Sequence, residues 1–345
     1  MKIAEFDYDL PADRIAQAPP PSRDASRLLV IDRATGALRD HRFRDLPALL
    51  RPDDLLVVND SRVLPARVFA RDAASGRDVE LLFVERETDH RWRALVRPGR
   101  RCRPGHELLV GDPPGPRLKV VGVEPDGTRV IERADGDIDD LMQRHGLPPL
   151  PPYIARHVAP LAEDRERYQT VYGRLAGSVA APTAGLHFSD EVLDALRSRG
   201  IGIASLTLHV GPATFRPIKA TRVEAHELPS ERVTIPAETA AAVTAARAAG
   251  RRVVAVGTTS TRSLEGAVRE DGTIAPLDGR VGLYIYPGHR FRIVDALLTN
   301  FHLPRSSLLV LVAAFAGRDL VLGAYRHAVD AGYRFYSYGD ATLIL

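Results

Sequence analysis

The sequence predicts an α/β protein with an all-β domain inserted near its N-terminal third. Compact apolar runs at 28–31 and 55–58 have the composition of strands buried on both faces. After residue 153, strand and helix patterns alternate, which favours a layered α/β domain. Between these regions, residues 62–150 contain only short apolar segments separated by turn residues. The length, 345 residues, suits two domains of about 150 residues or more.

The first 61 residues predict a short strand, a helix and two further strands. Residues 4–8 favour a strand, and Pro11 suits the first turn of a helix over 11–17. The apolar strands at 28–31 and 55–58 follow. The second of them ends at the polar pair 59–60.

The inserted region predicts several short strands between clusters of Gly, Pro and Asp. The strand segments are 79–84, 92–96, 107–110, 118–121 and 130–132. Turn signals every ~8–12 residues indicate an antiparallel barrel or sandwich. The proline-dense segment 146–152 predicts a rigid link at its end. We therefore expect an all-β domain at 62–150 and a discontinuous α/β domain formed by 1–61 and 151–345.

The last half of the chain alternates helices with strands. Ser189 is the predicted N-cap of a helix with acidic residues in its first turn, and Gly200 follows its last residue. Further helices are predicted at 236–249, 308–316 and 319–331, and further strands at 203–210, 252–256 and 334–338.

Composition excludes several classes of protein. A net charge of +3 is far too small for a histone-like nucleic-acid binder, although it allows a local basic groove. The single cysteine, Cys102, excludes an internal disulfide framework and a cysteine-based zinc site. No carboxylate or histidine cluster has ligand spacing, so we expect no metal. The longest apolar run, 308–317, is about half of a membrane span of ~20 residues, so we expect a cytoplasmic protein with no membrane partner.

The segment 178–188 is the densest candidate for chemistry. Pro182 and Gly185 exclude a regular helix, and small residues allow backbone N–H groups to approach a ligand. His187 has the side chain of a general acid or base. A structural role, in which His187 hydrogen-bonds a backbone carbonyl, is an equally good interpretation.

Two further histidines lie near predicted strand ends. His209 closes the strand at 203–210, and Asn300 and His302 close an apolar strand before Pro304. Ligands of open α/β sheets bind at strand ends. Each histidine alone is more often structural, but together with His187 they favour one shared site.

Hydroxyl-rich and polar residues mark other strand ends. The segment 257–262, GTTSTR, connects a strand to a helix and suits a carboxylate or phosphate at the helix N-terminus, with plain capping as the alternative. Asn59 and Asp60 could bond a ribose or a base edge.

These stretches together resemble the S-adenosylmethionine:tRNA ribosyltransferase-isomerase family of queuosine biosynthesis. The strings SVAAPTAGLHF at 178–188 and LLTNFHLP at 297–304 are long and rare. Other stretches also match the family, and all of the matches occur in the family's order along the chain. They are 14–17, 23–29, 58–67, 150–154, 167–172, 207–215, 255–259, 287–288 and 333–340.

The resemblance implies a fold and a reaction. The fold is an α/β domain with an inserted closed β-barrel. The reaction moves and isomerises the ribosyl part of S-adenosylmethionine onto 7-aminomethyl-7-deazaguanine at the tRNA wobble position, giving epoxyqueuosine-tRNA, adenine and methionine. The implied partner is a tRNA anticodon stem-loop carrying prequeuosine, and S-adenosylmethionine is the co-substrate. We expect a monomeric enzyme.

This chemistry assigns tasks to the candidate residues. A sulfonium acidifies its neighbouring 5′ carbon and makes methionine a good leaving group, so a base, an acid near adenine and a dry pocket are required. The candidates for proton transfer are His187, His209 and His302. The candidates for the methionine carboxylate or a tRNA phosphate are Thr258, Thr259 and Arg262. Candidates for other contacts to S-adenosylmethionine or the acceptor base are Asn59, Asp60, Thr183, Gly185, Asp295 and Asn300.

Two positions depart from the family pattern. Pro229 stands where a second histidine follows His226, and Gly282 stands in a pair that is commonly Thr-Asp. One alternative is therefore a diverged relative that uses S-adenosylmethionine on a free nucleoside or another small acceptor. A further alternative is a non-enzymatic sensor or RNA-binding protein with an inactive site.

Overall fold

The computed structural model describes residues 1–156, 158–211, 218 and 220–345. The end of the predicted stretch 207–215 lies outside the described residues. The chain forms two compact units. The α/β unit comprises 1–62, 169–175 and 181–345, and the barrel unit comprises 63–168 and 176–180.

The strands and helices are numbered in chain order. The strands are β1 (Arg27–Ile31), β2 (Leu38–Arg42), β3 (Leu55–Asn59), β4 (Ser61–Val63), β5 (Arg67–Asp72), β6 (Asp78–Arg86), β7 (Arg91–Arg97), β8 (Glu107–Val110), β9 (Arg117–Val123), β10 (Arg129–Glu132), β11 (Leu175–Ser178), β12 (Gly202–Leu208), β13 (Glu231–Ile235), β14 (Val253–Val256), β15 (Leu277–Val281), β16 (Ala296–Asn300) and β17 (Ala341–Ile344). The helices are α1 (Leu46–Leu49), α2 (Ile138–His145), α3 (Asp164–Arg167), α4 (Asp190–Ser198), α5 (Ala237–Ala248), α6 (Gly257–Gly266), α7 (Ser307–Ala316) and α8 (Arg318–Asp330).

The α/β unit is built on a nine-stranded sheet with the order β15-β13-β12-β3-β14-β16-β17-β1-β2. The strands β12, β3, β14 and β16 are parallel to one another. Strand β17 runs antiparallel to β16 and parallel to β1. One edge of the sheet, here called the active edge, therefore collects the C-terminal ends of four strands and the N-terminal ends of β17 and β1. Ligands of open α/β sheets bind at such an edge.

Both faces of the central strands are buried, as the unbroken apolar runs predict. Every residue of β3 and β14 is buried. One face packs with α1, α4, Phe43 and Phe188 in a single apolar cluster. Helix α6 contacts β3, β14 and β16. Burying this apolar surface is the main favourable term for folding of the unit.

The barrel unit contains a closed antiparallel barrel with the strand order β10-β7-β6-β5-β8-β9. Alternate residues of its strands face an apolar interior. The predicted fold class, an α/β protein with an inserted all-β barrel, is confirmed.

The barrel unit extends further along the chain than residue 150. Arg67 and Leu147 exchange two backbone hydrogen bonds, of 3.2 and 2.8 Å. Arg67 Nη2 also donates to the carbonyl oxygen of Leu150 at 3.1 Å. These bonds hold the proline-dense segment on the barrel, and the unit continues to Tyr168.

Several predicted elements near the chain ends are wrong. Residues 4–8 form no strand, because Ile3–Phe6 is a 3-10 helix, and the predicted helix at 11–17 is a single 3-10 turn, Ala12–Arg14. The last strand is β17 rather than 334–338. Tyr336 has a φ of +76°, and the Asp340 carboxylate accepts the amide of Arg334, so this stretch is a tight turn.

The described residues form no metal cluster and contain no single spanning helix. Across the described ranges, no group of three or more His, Cys, Asp or Glu side chains could hold a metal ion. In the same part of the chain, no single helix is long and apolar enough to cross a membrane. Only α7 and α8 together reach that length and composition, and they are bent by 115° at their junction.

The sheet depends on a buried ion pair at the edge opposite the active edge. Asp54 is fully buried, and its oxygens accept from Arg252 Nε at 2.8 Å and Nη2 at 2.6 Å. We expect Asp54→Ala to lower the free energy of unfolding by about 3–5 kcal/mol, because it leaves a charge without its partner. Urea unfolding followed by circular dichroism measures the change.

The matched control is Asp194→Ala, which removes the exposed pair between Asp194 and Arg197. Such a pair contributes at most about 1 kcal/mol. An equal loss of unfolding free energy in the two variants would contradict a stabilising role of the buried pair between Asp54 and Arg252.

Candidate active site

Most of the predicted site residues follow strands that reach the active edge. The exceptions are Asp295, which precedes β16, and Thr183, Gly185 and His187, which lie in a 3-10 helix after β11. Asn59 ends β3, His209 follows β12, α6 begins directly after β14, and Asn300 ends β16. These positions are far apart in the sequence. The parallel register brings their strand ends to one side of the sheet.

Asp295 lies at the opposite edge. It precedes β16, and its carboxylate accepts the amide of Val253 at 2.9 Å and pairs with Arg247 at 2.8 Å. Because a strand advances about 3.3 Å per residue, the five steps from Asp295 to Asn300 place Asp295 about 16–17 Å from the active edge. Asp295 therefore has a structural setting, and we leave it out of the candidate site.

His187 lies in a buried hydrogen-bond chain. It ends the 3-10 helix Thr183–His187 that the segment 178–188 forms. Its Nδ1 is 2.7 Å from Ser26 Oγ, and its Nε2 is 3.0 Å from Asn300 Nδ2. The ring stacks on Phe43 with 5.1 Å between centroids. Residues from three distant parts of the chain thus meet at the active edge.

Burial keeps the imidazoles of the site neutral. Burial lowers the pKa of His187 to about 3, and the charges of Arg334 and Arg23 add to the effect. Burial alone lowers the pKa of His302 to about 3. The pKa of His209 is also lowered, first by burial and then by Arg232. At neutral pH these rings are therefore unprotonated, and the low pKa makes His187 and His302 weak bases.

His302 belongs to a different contact set from His187. Its Nε2 is 3.1 Å from Thr299 Oγ1, and its backbone carbonyl accepts the hydroxyl of Tyr8 at 2.5 Å. Successive residues of a strand point to opposite faces of the sheet, so Thr299 and Asn300 face opposite ways. His187 and His302 therefore contact opposite sides of the end of β16.

Asn59 and Asp60 are occupied by contacts to β12. The Asn59 amide donates to the carbonyl of Leu208 and accepts its N–H, both at 3.0 Å, so the side chain extends the ladder between β3 and β12. The Asp60 carboxylate accepts Thr207 Oγ1 at 2.6 Å and pairs with Arg174 at 2.7 Å. Both side chains fix the end of β12, which His209 follows.

The N-terminus of α6 is a second feature of the active edge. The helix begins at Gly257, with a φ of +88°, and no side chain caps it. Thr258 and Thr259 in its first turn are buried, and Asn59 Nδ2 lies 3.4 Å from Thr259 Oγ1. A Cβ built on Gly257 would lie 3.6 Å from the Cβ of Ala184, so the 3-10 helix packs beside this helix start. A helix start of this kind favours an anion.

Arg262 of α6 is buried and paired with Glu231. Its Nη1 is 2.7 Å from Glu231 Oε2, and its Nε donates to the carbonyl of Leu283 at 3.0 Å. Its Nη2 has no hydrogen-bond partner within the described part of the chain. The charge of Arg262 is thus largely compensated by Glu231, and its Nη2 group is left for a ligand.

Gly185 is required by a close contact within the α/β unit. A Cβ at Gly185 would lie 2.1 Å from the hydroxyl oxygen of Tyr172 and 2.6 Å from Cγ2 of Thr170. The hydroxyls of Tyr172 and Thr170 are buried and have no hydrogen-bond partner among the described residues. Thr183, at the start of the 3-10 helix, is half-buried.

Sequence patterns alone do not identify Ser26, Thr170 or Tyr172 as site residues. The signal that pointed toward the last two was the stretch 167–172 among the family matches. Ser26 lies in another of these stretches, 23–29, but its contact with His187 follows only from the packing of the 3-10 helix.

The two departures from the family pattern lie side by side. Strands β13 and β15 pair with Glu231 opposite Val281, and a Cβ on Gly282 would lie 3.4 Å from Cβ of Ser230. Pro229 directly precedes Ser230. The two sequence changes therefore concern one end of one strand pair.

Comparison with known proteins gives full-length similarity. The family model described as "Queuosine biosynthesis protein" matches residues 3–344. Two relatives named S-adenosylmethionine:tRNA ribosyltransferase-isomerase, from Symbiobacterium thermophilum and Moorella thermoacetica, are 50% and 51% identical over 347 residues, covering 100% of both chains in each case. The crystal structure of S-adenosylmethionine tRNA ribosyltransferase from Thermotoga maritima is 38% identical, with a TM-score of 0.54, and the match covers 99% of this chain and 100% of that one.

We expect Gly185→Ala to disturb the site more than the fold. The added methyl group must displace the Tyr172 ring or the 3-10 helix. Isothermal titration calorimetry with S-adenosylmethionine, the ligand that the resemblance implies, should show at least about tenfold weaker binding, or about 1.4 kcal/mol. In a Tyr172→Phe background, which lacks the nearest clashing atom, Gly185→Ala should weaken binding by less than it does in the wild type. An equal loss in both backgrounds would show that the Tyr172 contact is not the cause.

The buried neutral state of His187 predicts a pH dependence of stability. Its folded pKa of about 3 lies below the unfolded value of about 6.5, so the unfolded chain binds more protons at mildly acidic pH. Stability from this group is complete above pH 6.5 and falls as the pH decreases, by about 2 kcal/mol between pH 7 and pH 5. Urea unfolding at both pH values should show a smaller decrease in His187→Gln. The exposed His90→Gln should behave as the wild type, and an unchanged decrease in His187→Gln would refute the assignment.

Proposed function

The chain belongs to the queuosine biosynthesis protein family, and we propose that it is an S-adenosylmethionine:tRNA ribosyltransferase-isomerase. The enzyme transfers and isomerises the ribosyl part of S-adenosylmethionine onto 7-aminomethyl-7-deazaguanine in tRNA, with release of adenine and methionine. The observation that carries the proposal is the match along residues 3–344, which includes every strand end of the active edge.

The active edge offers chemistry that suits S-adenosylmethionine. We propose that the uncapped start of α6, with Thr258 and Thr259, receives the methionine carboxylate. Buried polar atoms without partners among the described residues, Asn300 Oδ1 and the Tyr172 hydroxyl, support hydrogen bonds to the nucleoside part. Because Gly185 has no side chain, the backbone of the 3-10 helix can lie close to the Tyr172 hydroxyl.

His209 is the base we propose for the 5′ carbon. It is half-buried, and its Nδ1 has no hydrogen-bond partner within the described ranges. Its lowered pKa leaves the ring neutral and able to accept a proton at pH 7. Asp60, close enough to raise the pKa of His209 in part, would stabilise the ring once it is protonated. A role of His302 in proton transfer stays a prediction.

Arginines near the site support contact with an anticodon stem-loop. Arg23 and Arg334 lie close enough to His187 to lower its pKa, and the Arg174 side chain is 68% exposed beside Asp60. We propose that these three side chains contact phosphates of the tRNA while one loop base enters the site. We further propose that the enzyme acts as a monomer in the cytoplasm.

The reaction is tested by incubating the purified chain with S-adenosylmethionine labelled in its adenosyl part and with prequeuosine-containing tRNA. We expect release of labelled adenine and transfer of ribosyl label to the tRNA, only when that tRNA is present. Turnover with a free nucleoside and not with tRNA would favour the diverged relative. Absence of turnover with any acceptor would favour a non-enzymatic binding protein.

The same assay tests His209. Loss of a positioned general base costs about 10²–10⁴-fold in rate, so His209→Gln should lose turnover to that extent. His90→Gln on the barrel surface is the control and should keep wild-type turnover. Full activity of His209→Gln would remove this residue from the proposed machinery.

A further inference from the structure

We propose that His187 is a positioning residue: it holds the Asn300 amide so that Asn300 Oδ1 accepts a hydrogen bond from bound S-adenosylmethionine. The inference rests on the proposed function and gives His187 no part in proton transfer.

The orientation of the Asn300 amide is fixed by a backbone carbonyl. Its terminal nitrogen lies 3.1 Å from the carbonyl oxygen of Tyr336. A carbonyl can only accept, so the NH₂ group and not the oxygen must face it. The same carbonyl accepts the amide of Gly339 at 3.0 Å, which holds it in place.

The orientation of Asn300 determines the tautomer of His187. The same NH₂ group lies 3.0 Å from His187 Nε2, so Nε2 must be the unprotonated, accepting nitrogen. The proton of the neutral ring is then on Nδ1, which donates to Ser26 Oγ at 2.7 Å. The Ser26 hydroxyl donates in turn to the carbonyl of Arg23 at 3.3 Å. In this hydrogen-bond chain, the donor and the acceptor of each bond are therefore determined.

The surroundings of the ring oppose a change of this state. Ser26, His187 and Asn300 are buried, with 1%, 3% and 2% of their surface exposed. Burial, with a smaller effect of the charges of Arg334 and Arg23, lowers the pKa of the ring to about 3. The ring also stacks on Phe43. A proton on Nε2 would also face the Asn300 NH₂ group and break that bond. His187 is therefore suited to positioning the Asn300 amide rather than to transferring a proton.

The network leaves one polar atom without a partner at the active edge. Both N–H bonds of the Asn300 amide are used by His187 and Tyr336, and Asn300 Oδ1 is buried with no hydrogen-bond partner among the described residues. A buried acceptor of this kind requires a donor. S-adenosylmethionine supplies such donors in its adenine amino group and its ribose hydroxyls.

The test compares His187→Gln with His187→Leu. The glutamine amide can accept from Asn300 and donate to Ser26, but it does not transfer protons near neutral pH. We expect His187→Gln to keep kcat within about threefold of the wild type with an unchanged pH profile. We expect His187→Leu to bind S-adenosylmethionine about tenfold more weakly, since one neutral hydrogen bond is lost and Asn300 is released. Circular dichroism checks that both variants are folded.

A role of His187 in proton transfer would give a different result in both variants. If His187 transferred a proton, both variants would lose about 10²–10⁴-fold in kcat, and one limb of the pH profile would disappear. That outcome would overturn the proposal. If His187→Leu does not fold, His187→Gln decides alone: kcat near the wild type supports the positioning role, and a loss with a missing limb overturns it.

The donor is identified with Asn300→Ala and three analogues of S-adenosylmethionine, which lack the adenine amino group, the 2′-hydroxyl or the 3′-hydroxyl. The analogue whose affinity is the same for the wild type and for Asn300→Ala is the one that lacks the donor. An equal loss of affinity in Asn300→Ala for the parent compound and all three analogues would overturn the hydrogen bond. These affinities are measured without tRNA, so they do not depend on turnover. Failure of the wild type to modify tRNA would instead overturn the proposed function.

Discussion

The parallel register of β12, β3, β14 and β16 is the constraint on which the candidate site depends. Each of these strands ends at the active edge, and each delivers a polar residue or a helix start there. Parallel strands need long crossover connections, so their ends come from distant parts of the chain. A change of register by one residue would turn Asn59 and Asn300 to the opposite face of the sheet.

Side-chain hydrogen bonds connect the strand ends at the active edge to one another and to neighbouring segments. The Asn59 amide replaces a backbone pair at the end of β12. The hydrogen-bond chain from Ser26 through His187 to Asn300 connects the residue before β1 with the 3-10 helix and β16. Such networks are stable when every member is satisfied, because an unpaired polar group in a low-dielectric interior is costly. The polar atoms left unpaired at the active edge are therefore the ones suited to a ligand.

Much of the fold could be predicted from periodicity, and part of the site could not. Apolar runs long enough to be buried on both faces identified β1 and β3. Turn residues at short intervals identified five of the six barrel strands, and β5 was missed. The strand at 334–338 was wrong, because the alternating aromatic residues there pack around a turn held by Asp340. Asp295 and Asn300 lie five residues apart, and only the direction of β16 shows that they reach opposite edges.

The sequence by itself determined the fold class, the family and the residues that could carry chemistry, because apolar periodicity and rare strings are local properties of a chain. Tertiary structure decided which of these residues meet, which nitrogen of His187 carries its proton, and that Ser26 and Tyr172 belong beside them. Those outcomes depend on strand direction, burial and hydrogen-bond partners supplied by distant segments, and no local pattern contains them.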